Sequence, residues 1–171
     1  QKEYGYLAIK NGLTNKIPLK IEICDLLKLP KEIRNKSFDH LIMNPPYYKR
    51  GTPSIDKGKN KSTRIYNPLS NWIGEGLKRL KPRGWLTIIN KTENLSEILI
   101  SLDKKAGDIQ IKPLTSGTDE SADRVIVRAR KDSKSPTKLY PPLIIHTSNG
   151  KSKTYSNLAE NIFRYGSPLT F

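Results

Sequence analysis

The chain has 171 residues, enough for one domain with its own core, and its 31 lysines and arginines against 16 acids give a net charge of +15. Such an excess favours a polyanionic partner such as RNA, or an acidic membrane surface, although biased coding composition also produces it. One cysteine, Cys24, excludes an internal disulfide and favours a reducing, cytoplasmic compartment. No apolar run approaches the roughly 20 residues that cross a bilayer, and no signal peptide is visible.

Apolar periodicity predicts strands and helices in alternation, which is typical of a parallel sheet with right-handed crossovers. The predicted elements are, in order, a helix over 1–10 that stops at Asn11-Gly12, a strand over 19–23, a connector over 26–36, a strand ending at 43, a polar loop over 48–64, a helix over 68–81 capped by Asn67, a strand over 85–89, a helix over 93–105, a strand over 109–114, a loop over 116–123, an edge or half-exposed strand over 124–130, a strand over 141–147 and a helix over 158–165.

The stretch over 38–47 organises the rest of the chain. Residues 41–43 form a short apolar run, as expected for a central strand covered on both faces. Pro45 and Pro46 end that strand because neither can donate to a sheet ladder, and their fixed φ angles make the turn stiff. The pattern therefore predicts a buried strand that leads directly into a rigid turn.

Two side chains on this turn carry recognition chemistry. The amide oxygen of Asn44 accepts hydrogen bonds from an NH₂ group, and the ring of Tyr47 stacks on a planar base. Open α/β sheets bind their ligands at the carboxyl ends of strands. We expect the turn to hold a flat group that bears an amine; the alternative is a proline-rich turn without a ligand.

A long basic loop follows the turn directly. Loops of this length without regular structure are usually functional or disordered. We interpret it as an RNA-backbone contact beside the site, with a solvated surface loop as the alternative. Its basic residues are Lys49, Arg50, Lys57, Lys59, Lys61 and Arg64, against the single acid Asp56.

The motif Asn44-Pro45-Pro46-Tyr47 resembles the NPPY motif of S-adenosylmethionine-dependent methyltransferases that act on planar amino or amide nitrogens. Further stretches resemble one subfamily, the tRNA (adenine-N6) methyltransferases, whose characterised members modify the adenosine beside the anticodon of a valine tRNA. These stretches are Phe38-Asp39, Gly51-Thr52-Pro53, the step at 80–84, the strand at 124–131 and the segment 141–146.

The resemblance implies an α/β, Rossmann-like class I methyltransferase fold, with a mostly parallel sheet and an antiparallel last strand. It implies S-adenosylmethionine as cofactor and Asn44-Pro45-Pro46-Tyr47 as the catalytic turn, whose Asn44 also lies beside the cofactor. It further implies that Asp25 accepts from the cofactor's adenine amino group and that Leu26 flanks its ring.

One part of the family pattern has no match. The Gly-rich loop after the first strand and the acid that ends the second strand hold the cofactor's methionine and ribose in such folds, and neither is found in the sequence. We therefore expect residues 1–171 to be the carboxyl-terminal part of a single methyltransferase domain. The first strands of its sheet would be absent, and it would bind the cofactor poorly alone.

Alternative functions stay open. A glutamine-N5 methyltransferase of release factors uses the same acceptor pair on an amide, and methylation of ribosomal RNA at guanine-N2 or of DNA at adenine fits the motif too. A non-enzymatic alternative is a truncated, basic RNA-binding module. No metal is expected, because His40, His146 and Cys24 lack metal-ligand spacing.

Overall fold

The computed structural model describes residues 2–46, 68–147 and 154–171. The chain divides into two compact units, Gln1–Lys36 and Ser37–Phe171, and each is described by itself. The expectation that residues 1–171 form part of one domain stays a prediction. Within the described ranges, no helix has the length and apolarity needed to cross a membrane.

The first unit is helical. It consists of α1 (Lys2–Thr14), a 3₁₀ turn (Leu26–Lys28) and the short α2 (Lys31–Arg34). The predicted helix end at Asn11-Gly12 is wrong, because α1 continues through the buried Gly12. The residue with positive φ after the helix is Lys16, at 54°.

The strand predicted over 19–23 is also wrong. The segment has no strand assignment, and no sheet partner for it exists among the described residues. Its side chains pack on α1 instead: a Cβ built at Gly12 would lie 2.9 Å from Leu19 Cδ1, and one at Gly5 would meet the side chain of Ile23. The alternation of apolar residues therefore reflects packing on two helix glycines rather than pairing in a sheet.

The second unit carries the sheet. Its elements are β1 (Phe38–Met43), α3 (Leu69–Arg79), β2 (Leu80–Lys91), a 3₁₀ turn (Thr92–Asn94), α4 (Leu95–Leu102), β3 (Ala106–Thr115), β4 (Arg124–Lys131), β5 (Lys138–Leu139), β6 (Leu143–Ile144), β7 (His146–Thr147), β8 (Thr154–Tyr155) and α5 (Asn157–Tyr165).

The main sheet has the order β1-β2-β4-β3-β5, and β6 also pairs with β3. β4 is antiparallel to β2 and β3, whereas the pairings of β1 with β2 and of β3 with β5 and β6 are parallel. All main-sheet strands except β4 thus run in one direction. This arrangement confirms the predicted α/β fold with a mostly parallel sheet. The prediction that the last strand is antiparallel is wrong, because the antiparallel strand is β4, and β6, the last strand of the main sheet, is parallel to β3.

β4 lies inside the sheet, so its placement at an edge is wrong and the half-exposed alternative is right. Val125, Val127 and Ala129 are buried in the core, while the residues between them are half-buried. On that second face, the guanidinium of Arg128 lies 4.7 Å from the ring centroid of Trp85 and 4.8 Å from that of Phe171. Cation–π contact therefore places an arginine on the more exposed face of an inner strand.

β1 is not the doubly covered central strand that residues 41–43 predicted. Among the described residues it pairs with β2 alone, and Ile42 is 79 % exposed while Met43 is 8 % exposed. Among the residues that the structure describes, packing is seen on the face of Met43: a Cβ built at Gly76 of α3 would lie 2.6 Å from Met43 Cε. An apolar run indicates that a strand contacts a core, but it does not show whether one face or both faces of that strand are covered.

The core lies between this sheet and the pair α3 and α4. The start of α3 is capped from α4, because the backbone N–H of Leu69 donates to Glu97 Oε1 at 3.1 Å. Asn67, the predicted cap, lies outside the described residues. The core side chains are Met43, Leu69, Ile73, Leu77, Leu80, Leu86, Ile88, Ile98, Leu102, Ile111, Val125, Val127 and Ala129.

An exposed ion pair links the first strand to the second. Lys81 Nζ lies 2.9 Å from both carboxylate oxygens of Asp39, and this hydrogen bond and charge lower the pKa of Asp39 below 3.8. The ion pair's contribution to stability is therefore complete above pH 3.8 and is lost as the pH falls through the lowered pKa.

Asp39→Asn should flatten the acid limb of the unfolding free energy, measured by urea denaturation between about pH 2 and pH 6. Asp103→Asn, at an exposed aspartate, is the control, and its acid limb should stay as steep as that of wild type. Equally steep limbs in the Asp39→Asn and Asp103→Asn variants would contradict the assignment.

Candidate functional site

The carboxyl ends of the parallel strands gather the polar groups of the second unit. Met43, the last residue of β1, is the partner of Ile88 in β2. Lys91, the last residue of β2, is the partner of Arg124, the first residue of the antiparallel β4. The turns after β1 and β2 and the loop before β4 therefore meet at one edge of the sheet, which is where open α/β sheets place ligands.

The turn after β1 is anchored by its first proline. Pro45 is fully buried and Pro46 is half-buried, whereas Asn44 is exposed. A buried proline directly after an exposed asparagine restrains the backbone of the turn at this edge of the sheet. Tyr47 lies outside the described residues.

The basic loop is likewise outside the described ranges. Its predicted RNA contacts, Lys49, Arg50, Lys57, Lys59, Lys61 and Arg64, therefore stay predictions.

The two other predicted cofactor contacts belong to the first unit. Asp25 is exposed and caps the 3₁₀ turn, because its Oδ1 accepts from the backbone N–H of Leu27 at 2.9 Å. Leu26 is half-buried. The cap occupies Oδ1, and a carboxylate has a second oxygen that can accept from an amino group. Contact of either residue with a cofactor stays a prediction.

A buried amide holds the turn after β2. Asn90 is fully buried, and its Oδ1 accepts from the backbone N–H of Lys91 and from Asn94 Nδ2, both at 2.8 Å. The backbone N–H of Thr92 donates to the carbonyl of Asp123 at 3.0 Å, which joins the end of β2 to the start of β4. No motif in the sequence indicates this link between the end of β2 and the start of β4.

A polar cavity of about 420 Å³ opens at this joint. Its charges balance, with two cations, Lys91 and Arg124, and two carboxylates, Glu93 and Asp123. Lys91 Nζ lies 3.9 Å from Glu93 Oε1, and the buried Oγ1 of Thr92 has no hydrogen-bond partner among the described residues. The lining residues are Lys91, Thr92, Glu93, Ala122, Asp123 and Arg124.

A second, mostly apolar cavity of about 410 Å³ shares Asp123 and Arg124 with the first. The sequence pattern did not predict this cavity. Thr115 and Ser116 directly follow one predicted strand and Asp123 directly precedes another, and such positions at the edge of a sheet are where ligand-site residues are often found. His40 is exposed, and His146 lines the apolar cavity. Within the described part of the chain, no group of three His, Cys, Asp or Glu is placed to hold a metal ion.

Solved structures share this fold. A predicted O-methyltransferase from Agrobacterium tumefaciens matches with a TM-score of 0.71 and 19% identity over 95% of this chain and 73% of its own. A type I restriction-modification methyltransferase subunit from Streptococcus thermophilus matches with a TM-score of 0.63 and 15% identity over 93% of this chain and 38% of its own. The M protein of the type I restriction enzyme EcoKI matches with a TM-score of 0.59 and 17% identity over 94% of this chain and 37% of its own.

No protein-family model and no curated protein sequence matches the chain. The chain spans well under half of the two type I subunits and about three quarters of the O-methyltransferase. At these identities the likeness shows a shared methyltransferase fold.

Proposed function

We propose that this chain is the substrate-binding part of an S-adenosylmethionine-dependent N-methyltransferase that modifies the exocyclic amino group of adenine in tRNA. The observation that carries the proposal is the accessible Asn44 amide on a turn anchored by the buried Pro45, at the carboxyl end of a strand in a methyltransferase-fold sheet. We further propose that residues 1–171 are the carboxyl-terminal part of one methyltransferase domain, so assays use the longest natural form of the protein.

The proposed chemistry rests on hydrogen-bond acceptors. The amino nitrogen of adenine is a weak nucleophile because its lone pair is delocalised into the ring. Asn44 Oδ1 and the backbone carbonyl of Pro45 accept from that NH₂ group and localise the lone pair on nitrogen. The same oxygens stabilise the positive charge that grows on nitrogen during attack. Tyr47 stacks on the base and aligns it, and the amino proton leaves to water, so no side-chain base is required.

Each unit, taken by itself, offers a hydrogen-bond acceptor that suits S-adenosylmethionine. Asn44 is accessible, and the second carboxylate oxygen of Asp25 offers an acceptor for an adenine amino group. When bound, S-adenosylmethionine supplies an electrophilic methyl group. The proposed role of Asp25 and Leu26 is to hold it, whereas Asn44, also a proposed cofactor contact, helps to orient it and contributes little to its affinity.

RNA is the first substrate because of the +15 net charge and the basic loop beside the turn. DNA is the second candidate, favoured by the two restriction-modification proteins of the same fold.

The test supplies methyl-labelled S-adenosylmethionine with unmodified tRNA, duplex DNA or a peptide release factor. We expect label in tRNA. Label in DNA alone or in the release factor alone would replace this substrate with the alternative, and no label in any of them would contradict the activity.

The basic loop gives a prediction on salt dependence. Replacing Lys57, Lys59 and Lys61 by glutamate should weaken tRNA binding and reduce the slope of log K against log salt by about 0.7–0.9 for each phosphate that the loop no longer neutralises. Filter binding over a series of salt concentrations measures this. Glutamate at the exposed Lys104, Lys134 and Lys138 is the charge-matched control and should keep most of the slope. Equal slopes in the two triple variants would favour the alternative interpretation, in which the loop is a solvated surface loop that does not contact RNA.

A further inference from the structure

The polar cavity in the second unit lies at the same edge of the sheet as the Asn44 turn. Met43, which precedes Asn44, is the partner of Ile88 in β2. Lys91 lines the cavity and follows Ile88 along β2 by about 10 Å of extended strand. The cavity volume of about 420 Å³ falls within the roughly 300–1,000 Å³ of small-molecule sites. An extended nucleic-acid strand that places one base at the turn can therefore place a nearby base in the cavity.

The backbone around the cavity is fixed by hydrogen bonds at the end of β2. Lys91 and Arg124 are partners across the ladder between β2 and β4. The N–H of Thr92 donates to the carbonyl of Asp123 at 3.0 Å, and the fully buried Asn90 accepts from the N–H of Lys91 at 2.8 Å. Polar groups satisfied in this way hold one backbone geometry, as a recognition site requires. The side chains of Lys91, Asp123 and Arg124 thus start from positions that the sheet determines.

The balance of charge in the lining excludes several classes of ligand. Two carboxylates, of Glu93 and Asp123, offset the two cations, so a phosphate or a metal ion gains no net attraction. An apolar ligand would remove charged groups from water without giving them partners, which is costly. A neutral ligand with donors and acceptors side by side fits such a lining, and the edges of nucleobases have this character.

One ion pair in the lining distinguishes between the bases. Lys91 Nζ lies 3.9 Å from Glu93 Oε1, beyond the roughly 2.7–2.9 Å of a charge-assisted hydrogen bond, so both groups can bond neighbouring atoms of one ring. Guanine carries the acceptor O6 beside the donors N1–H and N2–H. The ammonium can donate to O6 while the carboxylate accepts from both donors. No other standard base presents two neighbouring donor nitrogens to one carboxylate.

We propose that the polar cavity binds the guanine of a nucleotide close to the methylated adenine in the same RNA strand. Lys91 and Glu93 bind the Watson–Crick edge of this guanine, and the fixed backbone at the end of β2 positions them. Guanine binding at this place rests on the proposed function for the neighbouring adenine. It adds a sequence preference that the Asn44 turn alone does not supply.

Fluorescence anisotropy on the longest natural form of the protein tests the site, with labelled RNA hexanucleotides and saturating S-adenosylhomocysteine. Each RNA is uridine except for one adenine and one guanine, which is placed one or two nucleotides before or after the adenine. We expect guanine in at least one of these placements to tighten binding at least about fivefold over uridine. Inosine there lacks the N2 amino group and should lose part of this gain. Cytosine should bind like uridine, and a preference for cytosine over guanine would overturn the proposal.

Variants of the ion pair assign the preference to the cavity. Glu93→Gln and Lys91→Met should each bring the ratio of guanine to uridine affinity close to one. Glu120→Gln and Lys104→Met, at exposed residues outside the lining, are the matched controls and should keep the wild-type ratio. A ratio unchanged in both cavity variants, or no guanine preference in any placement, would also overturn the proposal.

Methylation of the same RNAs separates this site from the proposed function. We expect kcat/KM to follow the guanine preference seen in binding. Guanine-dependent binding without methylation of the adenine would contradict only the enzymatic function. Methylation with the same kcat/KM for the guanine and uridine RNAs would contradict only the guanine site.

Discussion

Asn44→Ala is expected to lower kcat for methyl transfer to tRNA at least about 100-fold, while the dissociation constant for S-adenosylmethionine changes little. The amide oxygen is proposed to accept from the adenine amino group as charge develops on nitrogen, so its loss acts mainly on the transition state. Single-turnover kinetics with labelled cofactor measures the rate, and calorimetry measures cofactor affinity.

Two further variants separate chemistry from folding in this experiment. Asn44→Asp keeps an acceptor at the same place and should retain more activity than the alanine variant. Asn71→Ala, at an exposed asparagine of α3 in the same unit, is the control and should behave as wild type. Full activity in Asn44→Ala would contradict the proposed mechanism.

Gly107→Ala is expected to cause the largest loss of stability, about 3 kcal/mol in the free energy of unfolding. Gly107 lies at the start of β3, opposite Arg130 and beside the irregularity in the β3–β4 register. A Cβ there would lie 2.8 Å from the carbonyl carbon of Ser133, closer still to its oxygen, and 3.1 Å from the carbonyl oxygen of Ser135. These are backbone atoms, and the Ser135 carbonyl already accepts from the N–H of Asp108 at 2.8 Å. The strain therefore has no flexible side chain to absorb it.

Gly74→Ala is the matched control for the same substitution. Gly74 lies within α3, and a Cβ there would have no atom within 4 Å. Alanine favours a helix interior by roughly 0.5–1 kcal/mol over glycine, so this variant should be more stable than wild type. Urea denaturation of both variants measures the difference, and equal effects would contradict the close approach at Gly107.

Sequence patterns predicted the elements whose burial follows one regular period. The two-residue period of Val125, Val127 and Ala129 predicted β4, and these residues are buried. The helical stripe with Leu69 and Ile73 predicted α3 for the same reason. In both elements, one face packs on one core, so the pattern and the structure correspond.

The failures arise where a pattern has two physical causes. Leu19 and Ile23 alternate like strand residues, but their contacts are with helix glycines. Ile42 belongs to an apolar run that predicted cover on both faces, yet it is 79 % exposed in the described chain. Periodicity states which residues share a face; it does not state what covers that face.

The candidate site was only partly visible in the sequence. Asn44 and Pro45 were identified because an amide and two prolines adjoin in one short stretch, and their exposed and buried positions fit that interpretation. The two cavities were not, because each is built from residues far apart in the chain. Residues 91–93 and 122–124 line the polar cavity, and Ile89, Thr115 and Phe163 are among those that line the apolar one.

The central claim is that the Asn44 turn directs methylation to the amino group of adenine. Nucleoside mass spectrometry of tRNA after incubation with the protein and S-adenosylmethionine tests it most directly, because the fragment masses and retention identify the methylated atom. The account predicts N6-methyladenosine at one position, and its loss with Asn44→Ala. A product methylated on a ring nitrogen or a ribose hydroxyl would contradict the account.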